Sequence, residues 1–95
     1  MLTGKQRSYL KSLANGIDSI FQVGKGNIND NMIKQLNDVL EARELIKITV
    51  LKNSPGGVYE ICEEVAQKTN SEIVQVIGNK FVLYKESKEN KVIVI

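Results

Sequence analysis

The chain has 95 residues, of which 42% are hydrophobic and 25% charged, and this composition predicts one soluble globular domain with a modest core. No apolar run approaches the roughly 18 residues of a membrane span, and residues 1–7 lack the apolar segment of a signal peptide. The chain has no histidine, and Cys62 is its single cysteine. This excludes the usual zinc site, a Ser-His or Cys-His catalytic pair and an internal disulfide, and it is typical of a cytosolic protein.

Turn residues and hydrophobic spacing predict three elements in the first half of the chain. Thr3 is expected to cap a helix over Gly4–Ala14, with the polar residues 15–16 ending it. A short strand follows over Ser19–Val23 and leads into a glycine turn. A second helix, capped by Asn29 or Asp30, is predicted to run to about residue 42.

The second half predicts a strand over residues 45–51, a helix and a hairpin. Ser54-Pro55 is a strong start signal for a third helix that runs to about Thr69. Strands over residues 72–77 and 80–85 are joined by a Gly78-Asn79 turn. Residues 86–91 are expected to be solvated and mobile. The pattern leaves open whether residues 92–95 form a strand.

This order predicts an α-β-α-β-α-β-β domain of the α+β or α/β two-layer class. Its four-stranded mixed sheet is backed by helices, because parallel crossover connections are right-handed. The position of the first helix relative to the helical side of the sheet is left open. The expected organisation is one domain over residues 1–85 with a polar tail over 86–95 that ends in a short apolar stretch.

The turn formed by Gly24, Lys25, Gly26 and Asn27 is the first candidate binding feature. Glycines let another molecule approach the backbone closely, and successive amides in such a turn form a small anion-binding concavity. The next helix starts at once, so its first unpaired amides are expected to face the same spot. Lys25 adds a positive charge, and together these features predict a loop that contacts phosphate. The alternative is a tight strand-to-helix connection that needs a positive φ.

Basic residues are concentrated in the same part of the chain. The formal net charge is +2, but residues 1–29 hold four cations against one acid, whereas residues 53–95 hold five lysines against six acids. Lys5, Arg7 and Lys11 lie on the first helix, and Lys34 lies about one turn into the second. They are predicted to contribute phosphate contacts, which would give affinity and salt dependence rather than sequence choice. The alternative is a solvated helix face.

Four separated motifs resemble the YhbY family, the small bacterial proteins of the CRM RNA-binding class. They are Leu2-Thr3-Gly4-Lys5-Gln6-Arg7, Gln22-Val23-Gly24-Lys25-Gly26, Glu41-Ala42-Arg43-Glu44-Leu45-Ile46-Lys47, and Val76-Ile77-Gly78-Asn79 with Val82-Leu83-Tyr84-Lys85. The resemblance implies an RNA-binding domain associated with assembly of the large ribosomal subunit. It also implies a fold similar to the C-terminal domain of a bacterial translation initiation factor. The family's loop usually reads Gly-x-x-Gly, as in KH domains, and Asn27 replaces its last glycine here.

The preferred hypothesis is therefore a non-enzymatic, cytoplasmic protein that binds structured ribosomal RNA. No cofactor, metal, membrane or small-molecule substrate is expected. The five aromatic residues mostly fall in apolar stripes, which favours recognition of RNA shape and backbone over stacking. One alternative is a protein-interaction adaptor that uses the acidic third helix or the tail. Another is a nucleotide-binding enzyme, but the glycine turn lacks the length and the Gly-Lys-Ser/Thr ending of a P-loop.

Overall fold

The computed structural model describes residues 2–24, 26, 28–51 and 57–95. In chain order the elements are α1 (Gly4–Ala14), β1 (Ser19–Val23), α2 (Asp30–Arg43), β2 (Leu45–Val50), α3 (Gly57–Thr69), β3 (Glu72–Ile77) and β4 (Lys80–Tyr84). The predicted order of elements is confirmed, and β2 and β4 each end one residue earlier than predicted. The predicted start of the third helix at Ser54-Pro55 lies outside the described residues.

The first two helices begin where their capping residues predict. The Thr3 hydroxyl accepts a hydrogen bond from the amide of Gln6 at 3.1 Å, and the Gln6 side chain accepts the amide of Thr3 at 3.0 Å. This reciprocal capping box satisfies two donors that the helix itself leaves unpaired. Asn29 caps α2 through its side-chain oxygen, which accepts the Met32 amide at 2.9 Å. Local sequence signals therefore fix both starts.

The sheet has the strand order β1-β2-β4-β3. β1 and β2 are parallel, and β4 is antiparallel to both of its neighbours. The carboxyl ends of β1, β2 and β3 consequently meet at one edge, together with the turn between β3 and β4. The amide of Val50 donates to the Asn79 carbonyl at 2.7 Å, which ties that turn to the end of β2.

The sheet is covered on both faces. α2 and α3 pack on one face against the larger core, built around Ile46, Ile48 and Phe81. The position of α1, which the sequence left open, is on the other face, where Leu10 and Ala14 pack with a second buried cluster. That cluster comprises Leu45, Val74, Val82 and Tyr84 from the sheet. We call this second side the α1 face. Helices therefore lie on both sides of the predicted mixed sheet.

Cys62 lies inside the larger core, only 1% exposed, on the apolar side of α3. Burial, with a smaller contribution from the charge of Glu63, raises the pKa of its thiol to about 12. Because the thiolate is the reactive form, native protein at pH 8 is expected not to react with a thiol reagent such as Ellman's reagent, whereas urea-unfolded protein reacts within seconds. Rapid labelling of the native protein would contradict the placement of Cys62 in the core.

Candidate nucleic-acid interface

The glycine turn follows β1 at the edge where the parallel strands end. The amide of Leu51 donates to the Val23 carbonyl at 2.8 Å, so the ladder continues to the last residue before the turn. Gly24 is buried and Gly26 is exposed. Lys25 and Asn27, the other two predicted loop residues, lie outside the described residues.

Gly26 is not required by packing within the described part of the chain. A Cβ built on Gly26 meets no described heavy atom within 4 Å, and its φ lies outside the left-handed range. The alternative that this position needs glycine for a positive φ is therefore not supported. A missing side chain at an exposed turn leaves the backbone open to an approaching molecule.

The N-terminus of α2 is less available than the sequence indicated. The amides of Met32 and Ile33 are taken by the side chain and the carbonyl of Asn29. Asp30, in the first turn, adds a negative charge next to the helix dipole. Positive charge at this end of the sheet must therefore come mainly from lysine side chains.

Arg7 is not on a solvated flank of α1. Its guanidinium donates to the carbonyl of Ile73 and, at 3.4 Å, to that of Val74, at the irregularity of edge strand β3. The side chain is half-buried and fastens α1 to the sheet. Arg7 therefore has a structural role in addition to any contact with a ligand.

Lys5 and Lys11 are both exposed, but they lie on different flanks of α1. Lys5 lines a surface cavity of about 380 Å³ with Tyr9 and the end of the tail, Val94 and Ile95. Lys11 is four residues from Arg7 and so shares the opposite flank. The helix thus separates two of the predicted contacts.

The α1 basic residues are not adjacent to the glycine turn. α1 packs where β2 begins, at Leu45, and the turn lies beyond the other end of the sheet, next to Val50. Five residues of strand separate these ends by about 17 Å. Lys34 is exposed and lies about 6 Å along α2 from Asp30, nearer the turn. The predicted residues are therefore spread over three places, namely the turn, the start of α2 and α1.

Two lysines that the sequence did not single out lie between α1 and the turn. Lys47 of β2 and Lys80 of β4 point to the α1 face, because the alternate residues Ile46, Ile48 and Phe81 fill the larger core. The alternation of Lys47 and Thr49 with apolar residues was the available signal. That alternation points to a ligand contact only together with the structure, which shows that α1 leaves this part of the face uncovered.

Two carboxylates at the end of α2 hold the tail. Glu44 is fully buried; its carboxylate accepts the amides of Ser87 at 2.7 Å, Val92 at 2.6 Å and Ile93 at 2.7 Å. Glu41 accepts the Ser87 hydroxyl and the amides of residues 88 and 89 at 2.7–3.0 Å. We call these two residues the glutamate clamp. The expectation that residues 86–91 are solvated is wrong for Ser87, which is buried, and the amides of residues 87–90 are hydrogen-bonded to side chains.

The clamp lowers the pKa of both carboxyl groups. For Glu41 the Lys88 amide, the Ser87 hydroxyl and the Glu89 amide lower the pKa to about 2. Burial alone would raise the pKa of Glu44, but its three amide donors outweigh burial and the pKa is lowered from its usual value of 4.5. Hydrogen bonds to a carboxylate favour its charged form.

A depressed pKa means that the clamp stabilises the fold above pH 4.5 and loses this contribution as the pH falls toward about 2. The free energy of unfolding, measured by urea titration, is therefore expected to fall between pH 5 and pH 3. The double variant Glu41→Gln/Glu44→Gln should show a flatter dependence over the same range. An equal slope in both proteins would contradict the role of the clamp.

The aromatic residues divide between core and surface. Phe81 and Tyr84 are buried, as predicted, whereas Tyr9 is 47% and Tyr59 68% exposed. The expectation that the aromatic residues are mostly core is therefore wrong for these two. Tyr9 lies on α1, away from the glycine turn at the end of β1, and Tyr59 lies in the first turn of α3.

The described residues form neither a cluster of metal ligands nor a helix that could cross a membrane. Across residues 2–24, 26, 28–51 and 57–95, histidine, cysteine, aspartate and glutamate form no group of three or more that could hold a metal ion. None of the helices in this part of the chain combines the length and apolar character needed to cross a bilayer.

A mixed four-stranded sheet with α1 on one face, α2 and α3 on the other and a glycine turn at its edge defines a small α+β domain. The chain belongs to the CRS1/YhbY (CRM) domain family, whose sequence profile matches residues 2–85. The resemblance seen in the four motifs is confirmed.

Similar proteins come from several organisms. Probable RNA-binding protein YqeI of Bacillus subtilis is 56% identical over 91 residues, which cover 96% of this chain and 95% of the relative. An RNA-binding protein of Haemophilus influenzae is 29% identical over 91 residues, covering 96% and 92% of the two chains. The solution structure of the hypothetical protein SAV1595 from Staphylococcus aureus superposes with a TM-score of 0.78, at 60% identity over 96% of this chain and 95% of that one. The fold class is thereby confirmed.

Proposed function

We propose that this protein is a non-enzymatic RNA-binding protein that acts in the cytoplasm on structured ribosomal RNA during assembly of the large subunit. Family membership and the RNA-binding names of two relatives support the class of partner. The ribosomal target comes from the family resemblance. In this proposal the loop Gly24-Lys25-Gly26-Asn27 holds the RNA backbone.

The other predicted residues contribute in different ways. Lys34 adds a cation next to the loop, and Lys11 adds one on the flank of α1 away from the tail. Arg7 holds α1 on β3, and Lys5 adds to the positive potential of the molecule.

The single observation that carries the proposal is the exposed Gly26. Nothing within the described chain explains the missing side chain, since a Cβ there has open space and the backbone φ is ordinary. A phosphate that must come close to the main chain does explain it, because a residue without a Cβ lets a ligand approach the backbone amides closely.

Filter binding to an in vitro transcript of large-subunit ribosomal RNA tests the proposal at 50 and 200 mM salt. We expect binding that weakens steeply with salt, because lysines that contact phosphates release counterions. Lys25→Glu should weaken binding and release the protein from ribosomal precursors on a sucrose gradient, whereas Lys68→Glu, on α3, should leave both unchanged. No binding, or binding indifferent to salt, would overturn the proposal.

The adaptor remains a second candidate because of one observation. Tyr59 is 68% exposed on the same helix as the acidic residues Glu60 and Glu63. Pull-downs after nuclease treatment discriminate between the two functions. Partners that persist and are lost with Tyr59→Ala favour the adaptor, and partners lost with the nuclease favour RNA binding.

A further inference from the structure

The α1 face of the sheet is only half covered. α1 packs over the end of the sheet that carries Leu45 and Tyr84, and the tail lies along the same end. Two rows of side chains continue from there to the edge with the glycine turn. Strand pairing places Ser19, Lys47, Val82 and Gln75 in the inner row, of which Val82 is buried beside α1, and Gln22, Thr49, Lys80 and Ile77 in the outer row. We call them the open rows.

The open rows are cationic and polar. They contain two lysines and no carboxylate, and the hydroxyls of Ser19 and Thr49 are hydrogen-bonded at 2.6 Å. Lys47 and Lys80 are diagonal neighbours on adjacent strands, with a separation of about 7–8 Å between backbones. Lysine side chains this close together can contact neighbouring phosphates of one RNA strand.

A small depression lies between the two lysines. It has a volume of about 110 Å³ and is lined by Lys47, Ile77, Lys80 and Val82. Its floor is apolar and its rim is charged, and Ile77 is 59% exposed. A sugar or the edge of a base fits such a floor while the flanking phosphates meet the lysines.

We propose that the open rows are a second RNA-contact surface, across which a single strand of RNA runs from the glycine turn toward Lys11. The inference rests on the proposed function and specifies the form of RNA bound. The outer row is continuous with the turn, since Gln22 lies in β1 two residues before Gly24. Lys11 continues the path at the other end, because the tail lies along the opposite flank of α1.

The open rows can contact the phosphates and riboses of an RNA strand, but they provide no aromatic surface on which bases could stack. None of the eight side chains in the open rows is aromatic. Lysine contacts to phosphate carry no sequence information, whereas Gln22, Gln75 and Thr49 can hydrogen-bond to ribose 2′-hydroxyls. The expected recognition is therefore of RNA over DNA, with little preference for sequence.

The double variant Lys47→Gln/Lys80→Gln tests the surface. The matched control is Lys68→Gln/Lys88→Gln, which makes the same change in net charge on α3 and the tail. Binding to in vitro transcribed large-subunit ribosomal RNA is measured over a range of salt concentrations. Loss of two single-strand phosphate contacts should reduce the slope of log K against log[salt] by about 1.4, and the control should retain the wild-type slope.

A photo-crosslinking residue at position 77 gives a second readout that does not depend on the lysine variants. It should crosslink to the RNA, whereas the same residue in place of Val92, which is 62% exposed in the tail, should not. The second surface is overturned if the double variant has the same slope as its control and position 77 gives no crosslink. Binding by the wild-type protein would then still support the proposed function. A wild-type protein that does not bind the RNA overturns both.

Discussion

Replacing Glu44 by alanine is expected to destabilise the protein by about 2–4 kcal/mol. Its buried carboxylate accepts three main-chain amides of the tail, and its own backbone donates to Leu40 and accepts from Lys85. Each buried amide left without an acceptor costs about 1–3 kcal/mol. The total loss is limited because the tail can separate from the domain, and its amides then reach water.

Urea unfolding at pH 7 measures this effect, with Glu63→Ala as the control. Glu63 is an exposed carboxylate on α3, so its removal should change the free energy of unfolding by no more than about 0.5 kcal/mol. Hydrogen exchange adds local detail, because the amides of Ser87, Val92 and Ile93 should exchange faster in Glu44→Ala. If the two variants are equally stable, the glutamate clamp does not hold the tail in solution.

Most of the fold was predictable because its signals are local. The capping residues Thr3 and Asn29 act over three residues, and the Gly78-Asn79 turn acts between adjacent strands. The alternation of apolar and polar residues in β2 likewise reports directly which side chains enter the larger core. Each of these patterns reflects the conformation or burial that is required of the segment in which it occurs.

The parts that escaped prediction depend on contacts between distant segments. Glu44 reaches amides 43–49 residues further along the chain, and Arg7 reaches carbonyls 66 and 67 residues away. No local pattern reports that a carboxylate next to a strand will be buried under a tail. Arg7 and Lys11 look alike on a helical projection, and only the sheet beneath them distinguishes a half-buried arginine from an exposed lysine.

The arrangement of the candidate residues in space was not predictable from the sequence. The glycine turn follows β1, and its Gly26 is exposed. The basic residues of α1 lie about 17 Å further along the sheet. Lys47 and Lys80 lie between these two groups. They could be recognised as surface residues only once it was known which half of the α1 face α1 leaves uncovered.

Gly26→Ala is expected to leave the fold intact and to weaken RNA binding at least tenfold, or by about 1.4 kcal/mol. The added methyl group meets no described atom within 4 Å, and the backbone φ suits alanine. Stability should therefore be unchanged or rise by up to about 1 kcal/mol, since alanine restricts the unfolded chain. The affinity falls because the methyl group occupies the space through which a phosphate approaches the backbone amides. Losing such a charge-assisted hydrogen bond costs about 1.5–3 kcal/mol.

Gly16→Ala is the matched control, because it makes the same chemical change at another exposed turn. A Cβ at Gly16 lies 3.7 Å from the Leu13 carbonyl oxygen, an ordinary contact, so this variant should also fold normally. Filter binding to large-subunit ribosomal RNA and urea unfolding are measured on both variants. If Gly26→Ala binds as tightly as Gly16→Ala, the exposed glycine is not the place where RNA meets the backbone. If Gly26→Ala instead loses stability together with affinity, the glycine serves the fold, and the observation that carries the proposed function is withdrawn.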